Sequence, residues 1–373
     1  MLKILYVTTI SNTMNAFLIP HIKMLLDEGH KVSIACSIEQ PLDTFFIKNN
    51  VPVYDIPFDR KPNSLNNYQA YRKFKNVMRN GKFDLVHTHT PIASMLVRLV
   101  CRKEKAKVFY TAHGFHFYQS APLINWLLFY PVEKFLSKYT DVLITINQED
   151  YNLAKNKFKM KKLFKIPGIG LNFERLEITK SREKLREELQ VNLDKVVLIS
   201  IGEINKNKNH KIVIDAIYEL QNYDLEYWIV GEGVLKSELE QLCEKYGLKE
   251  KVKFLGYRSN IADILNAADI FLFPSKREGL GMAALEAMYM GLPVIGSNVH
   301  GIKDYLSDNT NGFLVNPEKK EDFVNRILSL MNNKDLRGKM GENNREASLN
   351  YSINESLKYM NSIYSRVSSR KVK

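Results

Sequence analysis

Short apolar runs recur along the chain, separated by stretches in which apolar positions return every three or four residues. In the first half the runs at 3–10, 31–35, 51–56, 85–89, 108–111 and 142–146 predict strands. The stretches at 17–28, 65–78, 93–102 and 126–138 predict amphipathic helices. Strands alternating with helices in this way form βαβ units and a parallel sheet. The pattern then restarts, with strands predicted at 196–201, 227–230, 252–255, 270–273, 293–296 and 313–315, and helices at 212–220, 235–246, 283–290 and 321–331. The turn-rich segment Pro167-Gly168-Ile169-Gly170 separates the halves. The chain therefore reads as α/β, with two doubly wound Rossmann-like domains, 1–168 and 169–352, and a terminal segment, 353–373, whose helix is expected at about 354–367 to cross back onto the first domain. Open α/β sheets bind ligands beyond the carboxyl ends of their strands, so the expected site is a cleft between the two domains.

Composition narrows the class. With 373 residues, 45% of them hydrophobic and 25% charged, the chain fits a globular protein rather than a disordered one. It contains no uninterrupted apolar run long enough for a spanning helix, and its first residues read as a strand rather than a secretory leader. Cys36, Cys101 and Cys243 match no zinc or redox spacing, which suits a reducing cytoplasm. The net charge of +13 is uneven: residues 1–170 hold 24 Lys and Arg against 12 Asp and Glu, whereas residues 171–373 hold 30 against 29. A polyanion or an anionic lipid surface is the expected partner of the first half.

Several nucleotide motifs are missing. The pairs Gly168/Gly170, Gly231/Gly233 and Gly279/Gly281 each lack the third glycine of a dinucleotide fingerprint, and no phosphate-binding Gly-x4-Gly-Lys-Ser/Thr occurs. No Asp-x-Asp is present to hold a divalent ion against a diphosphate, so neither a metal nor another cofactor is expected. His87 and His89 share a strand face without an evident third ligand and are not expected to hold a metal.

The densest chemistry lies at 273–288. There a strand end, the loop Pro274-Ser275-Lys276-Arg277-Glu278-Gly279-Leu280-Gly281 and a helix beginning near Met282-Ala283 follow one another. A helix that starts after a glycine turn offers free N–H groups and a positive dipole end to a diphosphate. Glu278 stays on the loop, and Glu286 falls about one turn into the helix. One carboxylate on each side of a phosphate site suits a ligand with hydroxylated rings at both ends of a diphosphate, that is, a nucleoside diphosphate sugar.

With Glu278, seven intervening residues, Glu286 and Gly291-Leu292-Pro293, the sequence resembles family 4 of the retaining glycosyltransferases, which have the GT-B fold; the resemblance covers nearly the whole chain. It implies that Glu278 binds the donor sugar and Glu286 the ribose, with Gly279, Leu280, Gly281, Met282 and Ala283 around the phosphates. Gly202-Glu203-Ile204-Asn205-Lys206-Asn207-Lys208 looks like the family's glycine loop, with Lys208 on the diphosphate; Glu203 stands where many members have arginine, and Arg258 or Arg277 are its candidate replacements. Tyr257 and Arg258 are similar to the segment that reads uracil. Tyr110-Thr111-Ala112-His113-Gly114-Phe115-His116-Phe117-Tyr118 looks like the active-site histidine segment, which makes His113 catalytic with Lys208 and Glu278. His116, His89 and Asn12 are the acceptor candidates, Asn12 lying where the family usually has a glycine-rich loop.

The resemblance implies transfer of a hexosyl or N-acetylhexosaminyl group from a UDP-sugar to a lipid-linked sugar in exopolysaccharide, capsule or glycan assembly. An aromatic-rich stretch at 115–136 and the basic clusters at 60–82 and 155–165 add an expectation that the protein lies on the inner, anionic face of the cell membrane, with aromatics near Trp126 inserted. A sugar-nucleotide epimerase would share the donor site. A basic nucleic-acid-binding protein would explain the charge but not Glu278, Glu286 or Lys208, and no nucleic acid is expected as partner.

Overall fold

The structure is a computed structural model and describes residues 1–368; residues 369–373 of the expected terminal segment lie outside it. The chain divides into two compact units. One combines Met1–Gly170 with the helix Ile353–Ser368, and the other is Leu171–Ser352.

The first unit holds a sheet of seven strands: β1 Lys3–Ile10, β2 Lys31–Ser37, β3 Val53–Asp55, β4 Leu85–Thr88, β5 Lys107–Ala112, β6 Val142–Thr145 and β7 Lys162–Lys165. Their order is β3-β2-β1-β4-β5-β6-β7, parallel throughout. The chain leaves β1 in one direction and returns to β4 on its other side, so β1 and β4 flank the switch point where doubly wound sheets bind ligands.

Three details depart from the pattern reading. β1 runs directly into helical turns at Ser11–Thr13 and Met14–Leu18 before the helix Ile19–Asp27. The turn at Met14–Leu18 is the wider π form and ends just ahead of Pro20, which has no N–H to give the ladder. The basic run at 155–165 spans the end of the helix Gln148–Lys157, a turn and the edge strand β7. Lysines suit both places, since they complement a helix C-terminus and keep a sheet edge from pairing. The aromatic stretch is mostly core: Phe115, Phe117 and Tyr118 are buried, and Trp126 packs on Phe117 and Tyr130 while its Nε1 donates to the Tyr118 carbonyl at 3.1 Å. The outward face of the helix Leu123–Leu136 is chiefly aliphatic instead, with Leu123, Ile124, Leu127 and Leu128 exposed. Arg98, 1% exposed, clamps this helix through two hydrogen bonds to Glu133 at 2.8 and 3.0 Å and stacks over Tyr110. Among the described residues no helix is long and apolar enough to cross a membrane.

The second unit holds six parallel strands: β8 Val196–Ile201, β9 Leu225–Val230, β10 Val252–Gly256, β11 Ile270–Phe273, β12 Val294–Ser297 and β13 Gly312–Val315, in the order β10-β9-β8-β11-β12-β13. Here the switch point falls between β8 and β11. Both strands are mostly β-branched or aromatic residues, as expected of strands covered on two faces. The loops after them, 202–209 and 274–281, therefore emerge side by side.

Candidate active site

The two loops are laced together. Asn205 Oδ1 accepts from the N–H groups of Asn207 and Lys208, both at 3.0 Å, and closes a turn that presents Lys208. Asn207 Nδ2 donates to the Arg277 carbonyl at 2.9 Å, and Lys276 N donates to the Asn207 carbonyl at 2.8 Å. Asn209, in the left-handed region at φ 57°, donates to the carbonyls of Pro274 and Pro317 and starts the helix His210–Glu219. The result places the Lys208 ammonium over the Phe273 ring, 5.0 Å from its centroid, and in an ion pair with Glu278.

The helix Met282–Tyr289 begins at Gly281, whose φ of 93° suits glycine. A Cβ there would sit 2.6 Å from the Phe273 ring, so position 281 has no room for a side chain. The N–H groups of Ala284 and Leu285 both turn to the Gly281 carbonyl, at 3.1 and 3.4 Å, which leaves those of Met282 and Ala283 ahead of the ladder. Leu280 is buried and anchors the loop. Glu286 lies on the first turns of the same helix. Burial pushes its carboxyl up to about 7, with Arg175 opposing the shift. The two glutamates thus differ in setting: Glu278 is held by Lys208, whereas burial leaves Glu286 poised to titrate near neutrality.

Gly202 follows β8, and its N–H donates to the Val230 carbonyl at 2.9 Å. Glu203 points to solvent. Tyr257 is 82% exposed just past β10. Arg258 Nε donates to Asn260 Oδ1 at 3.1 Å, and β9 separates its strand from β8. Of the two candidate replacements for the missing arginine, Arg277 is the one whose backbone is tied to the Lys208 loop. Pattern reading missed Tyr305. Its hydroxyl is buried, has no hydrogen-bond partner among the described residues and lies about 3.1 Å from where a Gly281 Cβ would stand. Burial, then the neighbouring Glu278 charge, holds this phenol well above its ordinary range. Tyr305 lies 19 positions from Glu286 in a different element, so no local spacing announces it.

In the first unit β4 and β5 carry a run of imidazoles. His87 Nε2 lies 2.8 Å from Thr111 Oγ1 and its Nδ1 2.5 Å from the Tyr364 hydroxyl, which also bonds to Tyr6 at 2.8 Å. The C-terminal helix thus reaches the centre of this sheet. His89 stacks on His87, and its Nδ1 lies 3.3 Å from His113 Nε2. His89 Nε2 is buried without a partner, as is Asn12 Oδ1. Burial pushes His113 down to about 4 and His89 well below its ordinary range, so both rings are neutral at pH 7. His116 stands apart, stacked on Phe129 at 4.8 Å and lining a cavity beyond β1, β4 and β5. The structure therefore brings His89 and His113 together and gives His116 different neighbours. Among the described residues no cluster of three His, Cys, Asp or Glu side chains could hold a metal ion.

Residues 181–347 match the family model Glycosyl transferases group 1, and residues 3–147 match Glycosyl transferase 4-like. EpsD of Bacillus subtilis (strain 168), a protein named as a glycosyltransferase, is 37% identical over 371 residues, 97% of this chain and 96% of its own. The chain belongs to the group 1, 4-like glycosyltransferases. Another relative of this glycosyltransferase, 27% identical over 84% of this chain and 83% of its own, is the Escherichia coli UDP-Gal:alpha-D-GlcNAc-diphosphoundecaprenol alpha-1,3-galactosyltransferase. Among solved structures, Anabaena HepE in complex with UDP and glucose aligns with TM-score 0.80 at 18% identity over 98% of this chain and all of its own. The two Rossmann-like sheets are accordingly those of a GT-B glycosyltransferase.

The second unit of this glycosyltransferase groups a cation, a helix start, a buried phenol and two carboxyl groups around one switch point. That set can bind an anion and two polyhydroxylated groups at once.

Proposed function

We propose that this glycosyltransferase moves a hexosyl or N-acetylhexosaminyl group from a UDP-sugar to a lipid-linked sugar, with retention at the anomeric carbon, in polysaccharide or glycan assembly at the inner face of the membrane. The observation that carries the donor assignment is the convergence of Lys208, Glu278, Gly281 and Glu286 at the β8/β11 switch point. The UDP and glucose bound in HepE and the diphosphoundecaprenol in the name of the Escherichia coli relative support the donor and the acceptor class.

In this reading Lys208 leaves Glu278 for the diphosphate, which the N–H groups of Met282 and Ala283 also receive. Glu278 then accepts from hydroxyls of the sugar and Glu286 from those of the ribose. As the bond from the anomeric carbon to the phosphate oxygen breaks, its electron pair stays on UDP, where Lys208 and the helix start stabilise it. The acceptor hydroxyl attacks from the same face and passes its proton to the departing phosphate oxygen. His113, neutral at pH 7, is the catalytic residue proposed for the first unit. Cationic and dipolar groups suffice for the phosphates, so no divalent ion is needed.

Incubation with labelled UDP-sugars, with and without membrane lipid and with and without chelator, tests this. Label recovered on lipid in either condition supports the reading. Conversion of the free nucleotide sugar alone indicates an epimerase, and transfer abolished by chelator refutes metal independence.

A further inference from the structure

The first unit contains a cavity of about 610 Å³ beyond the carboxyl ends of β1, β4 and β5, within the range of about 300–1,000 Å³ usual for small-molecule sites. Its walls are largely apolar and come from three directions: Ile10 after β1, Ile92 and Met95 on the helix Pro91–Cys101, and Leu128, Phe129 and Val132 on the helix Leu123–Leu136. The polar groups in the wall are mostly engaged already. Thr9 and Thr90 bond to each other at 2.7 Å, and Glu133 is held by buried Arg98. An interior of this kind does not recognise a sugar, whose hydroxyls would find few open partners.

The cavity is not closed off from the surface. Leu128, 58% exposed, and Val132 line it and also belong to the outward aliphatic face of their helix, beside Leu127 at 63% exposure. An unbroken apolar path therefore leads from the outer face of the helix into the domain. At the margin stands Arg60, exposed, lining the cavity, with no ion-pair partner for its guanidinium among the described residues. Lys134 and Lys138 follow on the same helix and the turn after it. An apolar channel with an unpaired cation at its edge matches a hydrocarbon chain that ends in a phosphate.

Resting on the lipid-linked acceptor proposed above, we infer that this cavity seats the first isoprenoid units of a polyprenyl diphosphate, with Arg60 on the diphosphate. The chain enters between Leu128 and Val132, and His116, packed on Phe129, belongs to the same wall. The clamp of Arg98 on Glu133 positions the helix that forms the entrance.

The test uses the full-length protein saturated with UDP, so that the donor site cannot take up a diphosphate. Farnesyl diphosphate is titrated against inorganic diphosphate, and phosphatidylglycerol vesicles are run in parallel. The expected result is tighter binding of farnesyl diphosphate, by about tenfold or more, since burying two methylenes already supplies that factor. Met95→Trp, which narrows the cavity, and Leu128→Glu, which charges its exposed entrance, should remove this preference while UDP affinity, the control for folding, holds. Arg60→Ser should weaken farnesyl diphosphate. Equal affinity for the two probes, or a preference that survives both cavity variants, overturns the inference. So does a parallel loss of vesicle binding in Met95→Trp, which would make the cavity a phospholipid seat. Transfer assays separate the two proposals. If Met95→Trp glycosylates lipid-linked acceptor as fast as the parent protein, the cavity inference fails and the acceptor class stands. If farnesyl diphosphate binding depends on Met95 but no lipid-linked sugar is ever glycosylated, the acceptor class fails and the prenyl site stands.

Discussion

The Lys208 ammonium and the Glu278 carboxylate are hydrogen-bonded to each other across two loops that follow different strands of the second sheet. Each therefore neutralises the other, and in the proposed donor complex the diphosphate draws Lys208 away from Glu278. Lys208→Ala should lower kcat/KM about a hundredfold, the usual loss on removing one stabiliser of a developing oxyanion, about 3 kcal/mol. Part of that loss comes from a Glu278 charge left facing the phosphates. The double variant with Glu278→Ala should consequently lose less than the product of the two single losses. Steady-state rates for the four proteins decide this, and strictly multiplicative losses would show that the pair does not couple.

Glu286 makes nucleotide affinity depend on pH. Its carboxyl is pushed up to about 7 by burial, and the proposed ribose contact needs the ionised form. UDP should bind about tenfold more weakly at pH 6 than at pH 8, following the fraction of ionised carboxylate. Glu286→Gln should flatten this step; the titration of the nucleotide itself is common to both proteins and cancels. The stability sign is opposite. Because the folded protein holds a proton that the unfolded chain has released, stability falls as pH rises from about 4.5 through 7, and Glu286→Gln should remove that decline. Glu278→Ala, in contrast, should not weaken UDP, because it removes the carboxylate that competes with the diphosphate for Lys208. Calorimetric titration with UDP alone across this range checks all three statements.

The alternation of strands and helices was plain in the sequence because the central strands of both sheets are buried and mostly apolar. The Glu278–Glu286 spacing was legible for a related reason, since both lie within one strand–loop–helix unit. Tyr305, the Tyr364–His87 contact and the Arg98–Glu133 clamp were not, because each joins residues 24 or more positions from their partners through packing that no local period encodes. β7 was hidden by its own chemistry: an edge strand flanked by lysines looks like a basic loop. The bond from Trp126 Nε1 to the Tyr118 carbonyl was equally unannounced by the pattern.

Tyr305 should respond to substitution in two opposite ways. A buried hydroxyl without a partner costs about 1–3 kcal/mol, so Tyr305→Phe should raise the melting temperature of the free protein. If the hydroxyl serves the donor phosphates at the Gly281 turn, the same change should lower UDP-sugar affinity. Thermal melts with and without UDP read both effects in one experiment. A variant that is neither stabilised nor weakened in binding would leave the hydroxyl without a role.

Acid should destabilise the first unit through its imidazoles. His21, His87, His89 and His113 are all lowered by burial, His113 to about 4, whereas the unfolded chain takes up these protons near 6.5. Below that value the unfolded state binds more protons, so stability is full above about pH 6.5 and is lost progressively as pH falls towards 4. His89→Gln should make the melting temperature less sensitive to pH over this window. An equally steep profile would assign the acid sensitivity to the other histidines.

Membrane association should need two contributions that the structure places on different elements. Lys155, Lys157, Lys159 and Lys161 are exposed along the end of the helix Gln148–Lys157 and the turn to β7, although Lys161 is paired with Asp141. The helix Leu123–Leu136 exposes Leu123, Ile124 and Leu127, aliphatic side chains that can enter the headgroup boundary. Each basic residue near an anionic surface adds about 1 kcal/mol, so three or four give reversible attachment without a spanning helix. Charges at such a surface are screened within about 8 Å at physiological ionic strength. Full-length protein should therefore sediment with phosphatidylglycerol vesicles at low salt, release as salt is raised, and ignore phosphatidylcholine vesicles. Replacing Lys155, Lys157 and Lys159 with Gln should lower the salt needed for release. Leu127→Glu should weaken binding at every salt concentration, because it removes an apolar contact and adds a repelled charge. Were sedimentation indifferent to vesicle charge and to both variants, the positive excess of residues 1–170 would serve solubility, and a lipid-linked acceptor would have to be met without an electrostatic hold on the bilayer.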